Sequence, residues 1–224
     1  MERALLDQLQ ADRKAGRSVV VATALATGEQ GLIYRGDNHP LQVQAEQAMR
    51  DDKPSTVDVD GGSVFLNVFN PPLRMLIVGA VHIAQSLAPM AAMAGYQVTL
   101  IDPRDAWATP ERFPGLAIVD EWPDDAMAEL KPDHRTAIVT LTHDPKLDDP
   151  ALLSALGSEA FYIGSLGSTR THAKRVERLG GGGFGADAIA RIHAPVGLNI
   201  GAKSPSEIAV SIIAQVTGVL RGAA

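Results

Sequence analysis

The chain has 224 residues, a formal net charge of -6, 46% hydrophobic and 21% charged residues, and no cysteine. That length suits one large domain, or a medium domain plus a small one, with a core that needs no covalent staple. The missing thiols exclude disulfides, thiolate metal sites, iron–sulfur clusters and a cysteine nucleophile within the chain, and the acidic balance argues against non-specific nucleic-acid binding.

Residues 2–15 carry charges throughout instead of the apolar core of a signal peptide. They predict an amphipathic helix with Ala4, Leu5, Leu9 and Ala11 on one side. No apolar stretch reaches the roughly 18 residues a membrane span needs, so a cytoplasmic protein is expected. "SVVVATAL" (18–25) and "GLIYRG" (31–36) read as strands and "LQVQAEQAMRDD" (41–52) as a helix. "STVDVD" and "SVFLNVF" read as a hairpin turning at Gly61-Gly62. These elements predict a small N-terminal α/β module over 1–70, closed by the Pro-rich seam "NPPLR" (70–74).

From 71 to 224 strands and helices alternate. "RMLIVGA", "GYQVTLID", "LAIVD", "RTAIVTLT" and "AFYIGS" are strand runs. "IAQSLAPMAAMA", residues 124–130 and "ALLSALG" are helical runs. Strands this continuously apolar are buried on both faces, which predicts a Rossmann-like, mostly parallel sheet covered by helices. Pro89 should kink the first of these helices or limit its start. "GGGGFG" (180–185) reads as a flexible loop. "RIHAPVGLNIGAKSPSE" (191–207) reads as a loop of fixed shape. At its end Ser204, Pro205 and Glu207 predict a capping box opening the last helix.

In such sheets ligands bind beyond the strand C-termini, so the residues ending each strand are the candidates. After the first strand, Gly79-Ala80-Val81-His82 opens a helix. Gly79, Val81 and Ala84 fall at the three glycine places of the dinucleotide fingerprint, with Val81 where the backbone would approach a diphosphate. The helix start still favours an anion, which His82 would face, or His82 is only a helix-start residue. Asp102 lies 23 residues beyond Gly79, close to the roughly 20 of a ribose-holding acid. A strand-end Asp capping the next turn is the alternative, and Arg104 beside it suits a phosphate. Thr142-His143-Asp144 ends another buried strand with three polar groups, too few ligands for a transition metal. Gly164, Ser165, Gly167 and Ser168 form a small-residue loop, with Ser168 as N-cap of a helix carrying Arg170, Lys174 and Arg175. There Arg170 is assigned to an anion, and Lys174 and Arg175 to a solvated face. His193, in a loop with no strand run to anchor it, is placed with the same site.

"GAVHIAQ", "LIDPR", "RFPG", "VTLTHDPKLDDPAL", "FYIGSLGSTRT" and "RIHAPVGLNIGAKSPSEIAVSI" resemble the XdhC/CoxI family of xanthine dehydrogenase accessory proteins, over about residues 74–221. The resemblance implies a Rossmann-like domain that binds molybdenum cofactor, as molybdopterin or molybdopterin cytosine dinucleotide. It implies sulfuration of that cofactor with a cysteine desulfurase, and delivery to a molybdenum hydroxylase apoenzyme such as xanthine or carbon monoxide dehydrogenase. This is a maturation chaperone more than a turnover enzyme, and a homo-oligomer is expected. Two departures stand out. The family's Gly-Gly-Cys motif has no counterpart, and Val81 replaces the second glycine of the family's G-A-G-H loop. Two other readings remain. One is an NAD(P)-dependent Rossmann oxidoreductase. The other is a non-binding subunit that pairs with a cysteine-bearing homologue.

Overall fold

The computed structural model describes residues 2–223. Contacts divide the chain into two compact units, with the break between Pro71 and Pro72.

The first unit is a four-stranded antiparallel sheet in the order β2-β1-β4-β3, made of β1 (Val19–Ala24), β2 (Gln30–Tyr34), β3 (Ser55–Val59) and β4 (Gly62–Phe69). Two helices, α1 (Arg3–Lys14) and α2 (Gln42–Asp51), cover it. Alternation along β1 explains its unbroken apolar run. Val19 and Val21 pack with Leu9 of α1, and Val20 packs with Ala45 and Met49 of α2. The inward stripe of α1 is Leu5, Leu9 and Asp12; Ala4 and Ala11 are exposed, contrary to the sequence reading. Buried Asp12 accepts hydrogen bonds from Tyr34 Oη at 2.8 Å and from Gln8 and Arg17. The β3–β4 turn is Asp60-Gly61, because Gly62 pairs with Val59 as part of the ladder.

The second unit is a six-stranded sheet in which every neighbouring pair is parallel. Its strands are β5 (Leu73–Val78), β6 (Tyr96–Ile101), β7 (Ala117–Val119), β8 (Thr136–Thr140), β9 (Tyr162–Ser165) and β10 (Ile192–His193). Their order, β10-β9-β8-β5-β6-β7, is the doubly wound order of dinucleotide-binding folds, reversing between β5 and β8. Five longer helices surround it: α3 (His82–Met93), α4 (Pro123–Leu130), α5 (Pro145–Leu156), α6 (Thr169–Gly181) and α8 (Pro205–Leu220), with a single turn, α7 (Ala186–Ile189). β5 shows why both faces are apolar. Met75 and Ile77 pack with Leu87 of α3 and Ile212 of α8. Leu76 and Val78 pack with Met127 of α4 and Leu152 of α5.

Several boundaries differ from the sequence reading. Helix α3 continues through Pro89. Helix α5 begins at Pro145, well before the expected run, and contains Pro150. Helix α6 extends through Gly180 and Gly181, which the sequence placed in a loop. Ser204 accepts from Glu207 N–H and Ser204 N–H donates to Glu207 Oε2, completing the expected capping box on α8. Among the described residues no helix is long and apolar enough to cross a membrane.

Candidate functional site

The reversal in strand order sends the chain to opposite faces after β5 and after β8, which opens a crevice at their C-terminal ends. Neighbouring register, with Val78 opposite Thr140, brings Gly79–His82 beside Thr142–Asp144. A Cβ on Gly79 would lie 2.5 Å from Thr142 Cγ2, and Gly79 holds φ at +109°. Close approach and backbone conformation both require glycine here. Val81 is the N-cap of α3 without a side-chain cap bond, and His82, the first helical residue, is exposed.

Asp102, at the end of β6, is fully buried. Its oxygens accept from Ala80 N–H at 2.7 Å, Arg104 N–H at 3.0 Å, Arg104 Nε at 2.8 Å and Arg104 Nη2 at 2.6 Å. Burial by itself would raise its pKa, but the hydrogen bonds from Arg104 and Ala80 outweigh it and hold the carboxyl below its ordinary value. Arg104 also lies over the Trp107 ring at 4.8 Å. The expected ribose acid therefore ties two loops together, and a ribose would have to displace Arg104 to reach it.

Beyond β8, Asp144 is the N-cap of α5 and accepts from Lys146 N–H at 3.0 Å. Thr142 and His143 are held by a residue the sequence reading missed. Asp148, 1% exposed, accepts from Thr142 Oγ1 at 2.7 Å and from His143 N–H at 3.1 Å. Its oxygen also lies 3.6 Å from Arg175 Nη2. Arg175 is itself 2% exposed, which corrects its assignment to a solvated face. The sequence held the signal. Asp148 shares the spacing of Ala151, Leu152 and Ala155, and Arg175 that of Leu179, so both stand on inward stripes. Together they form part of the wall of a cavity of about 330 Å³ between α5 and α6. Arg170, Lys174, Arg178 and His143 also line it.

The β9 loop is largely structural. Ser165 is buried, its hydroxyl 2.6 Å from Thr140 Oγ1. A Cβ on Gly164 would meet Val196 Cγ2 at 2.6 Å. Gly167 holds φ at +142°. Ser168 caps α6, accepting from Thr171 N–H at 3.2 Å. His193 pairs in register with Gly164 on β10 and stacks on Tyr162 at 4.8 Å. Burial lowers its pKa. All the candidate segments thus end or follow parallel strands at one edge of one sheet. Of the candidate residues, only His143 and Arg170 line the α5–α6 cavity.

The sequence family described as the XdhC Rossmann domain matches residues 75–216. The chain belongs to the XdhC family. Curated relatives of this XdhC chain include the molybdenum cofactor insertion chaperone PaoD of Escherichia coli K12, 32% identical over 67% of this chain and 41% of that protein. A second relative, from Bacillus subtilis 168, is described as a probable xanthine dehydrogenase component and is 32% identical over 69% of this chain and 45% of its own length. YqeB of Escherichia coli K12, described as uncharacterized, is 30% identical over 72% of this chain and 30% of its own length. The chain therefore spans less than half the length of these relatives. A crystal structure described as a xanthine dehydrogenase from Bacillus halodurans aligns with a TM-score of 0.71 at 25% identity, covering 98% of this chain and 67% of that one.

Proposed function

We propose that this XdhC chain holds a molybdenum cofactor and assists its insertion into a molybdenum hydroxylase of the xanthine or carbon monoxide dehydrogenase type. The observation that carries the reading is the extent of the family match, residues 75–216. It takes in every loop at the sheet edge where a doubly wound fold binds ligands, from Gly79 to His193. The names of PaoD and of the Bacillus subtilis relative point the same way.

The site's donor set suits the phosphorylated part of such a cofactor. Guanidinium and ammonium groups face the cavity, and these groups grip phosphate oxygens. Arg170 and Lys174 would hold the cofactor's phosphate, which in molybdopterin is a terminal monoester. Gly79 lets the first loop lie against the Thr142 side chain at the crevice floor. When bound, the cofactor supplies the metal and its redox chemistry; this chain's residues bind and orient it. Without a thiol the chain carries no persulfide. Sulfuration therefore belongs to a partner such as a cysteine desulfurase.

The test is purification of the intact chain from a host that makes the cofactor. Native mass spectrometry should find a retained pterin species. Addition of that preparation to an apo-hydroxylase should raise its activity above that with free cofactor. Neither retention nor activation would overturn the reading.

A further inference from the structure

We propose that the cavity between α5 and α6 is a binding site for a dianionic phosphoryl group, the terminal phosphate of a phosphate monoester. The proposal stands on the cavity itself and holds whether or not molybdenum cofactor is the physiological cargo.

The charge balance of the wall sets the valence. Arg178 is bonded through both Nε and Nη2 to Asp149, and Arg175 is paired with Asp148. Arg170 and Lys174 have no carboxylate partner among the described residues, so four cations against two carboxylates leave a surplus of two. Arg170, Lys174 and Arg178 are spaced four apart on α6, where like charges repel. A bound dianion converts that repulsion into attraction, and a monoester phosphate carries about -1.5 to -2 at neutral pH.

The second observation is the buried guanidinium. Arg175 is 2% exposed, yet its Nε and Nη1 are buried without a hydrogen-bond partner. Only Nη2 is engaged, donating to Leu166 O at 3.1 Å and facing Asp148. Burying N–H donors unpaired is costly, and the charge of an anion in the cavity that Arg175 lines offsets part of that cost. Burial shifts the two partners the same unfavourable way: it lowers the pKa of Arg175 and raises that of Asp148. Their mutual attraction leaves part of the desolvation cost uncompensated. The carboxylate of Asp148 does not bar an anion from the rest of the wall. Its oxygens already accept from Thr142 Oγ1 and from the Thr142 and His143 N–H groups.

Geometry adds selectivity for phosphate over a single carboxylate. Arg170 presents a planar fork of donors from the exposed start of α6, while Arg175 stands about 1.4 turns farther along the same helix. A tetrahedral group with three free oxygens can address both, together with Lys174.

Isothermal titration of the intact chain with inorganic phosphate, cytidine 5′-monophosphate and cyclic 3′,5′-cytidine monophosphate tests this. The two nucleotides share base and sugar but differ in charge at phosphorus. Saturable binding of inorganic phosphate and of the open monophosphate is expected, with the cyclic form at least about tenfold weaker. Arg170→Ala and Lys174→Ala should each weaken the open form at least about tenfold. Arg178→Ala should change it less than about threefold, because Arg178 is already paired. Arg175→Lys keeps the charge beside Asp148 but loses the guanidinium N–H groups, and should weaken binding with Arg170 and Lys174 intact. Should that variant fail to fold, the two exposed substitutions still decide the matter. Equal affinity for open and cyclic nucleotides, unchanged binding in Arg170→Ala and Lys174→Ala, or no saturation below roughly 10 mM would each overturn the proposal.

Discussion

Asp102 and Asp148 are both buried aspartates at the ligand-binding edge, and their environments push them in opposite directions. Asp102 is desolvated, but four hydrogen bonds hold it below its ordinary value of 3.8. Its contribution to stability is therefore present above that value and lost as pH falls through the lower folded pKa. Asp148 is desolvated with fewer compensating partners and is raised above 3.8. Its neutral form is the one folding favours, a contribution present below 3.8 and lost as pH rises through the folded pKa. Asp102→Asn should cost about 2 kcal/mol at neutral pH, a figure tempered by the partial exposure of Arg104. In urea unfolding, the gap between variant and wild type should close as pH falls below 3.8 and through the lower folded pKa. A gap that stays constant across that range would show that the lowered carboxyl is not its source. Gly79→Ala is the sharper structural test. The added methyl meets Thr142 Cγ2 at 2.5 Å, in a backbone conformation L-residues avoid. A loss of about 2–4 kcal/mol is expected in the same assay. A loss under about 0.5 kcal/mol would show that the crevice floor gives way easily.

At the scale of elements, what the sequence revealed depended on how many consecutive residues carried the pattern. β5 and β8 were legible because both faces are buried around the apolar runs Met75–Val78 and Ala137–Val139. Helix α8 was legible because Ser204, Pro205 and Glu207 mark its start and Ile212 and Val216 its inner face. β10 was not, because two residues give no period, and Ile192–His193 is defined only by pairing with β9. The start of α5 was hidden by its prolines, since Pro145 at the first turn is favourable but Pro150 reads as a break. In the site, residues that end strands were visible by position, and Ser168 by its capping chemistry. The Asp148–Arg175 pair was hidden because a charged residue on a helix is read as solvated unless its stripe is traced to a neighbouring helix. The loop after β10 is pinned by side chains distant in sequence. Gln215 Oε1 on α8 accepts from Tyr162 Oη at 2.6 Å and from Gly197 N–H at 2.8 Å. Gln215→Leu should therefore cost about 2 kcal/mol, because it leaves a buried hydroxyl and an amide unpaired. Ser204→Ala, which removes one half of the capping box, should cost about 1 kcal/mol. Denaturant midpoints compared at constant slope would check both, and a ranking with Ser204→Ala the costlier would contradict this account of the loop.

At the scale of the molecule, each of the four apolar clusters draws its residues from one side of the Pro71–Pro72 break. The second unit holds the two larger clusters, one on each face of its sheet, and the family match from 75 to 216 lies wholly within it. A core on both faces of a six-stranded sheet is what an independently stable α/β domain needs. We propose on these grounds that residues 72–224 fold without the N-terminal module. The first unit is smaller, and its core is divided into two small clusters on either face of one antiparallel sheet. Smaller domains bury a smaller share of their surface, so the first unit should be the less stable part. A chain beginning at residue 72 should unfold cooperatively on heating, at a midpoint within a few degrees of the higher transition of the intact chain. Leu66→Ala, which empties a fully buried position of the first unit, should cost about 2–5 kcal/mol in the transition of that unit. It should leave the second transition in place. If the truncated chain is molten, or if Leu66→Ala lowers a single shared transition, the two units fold as one cooperative body and the domain division is wrong.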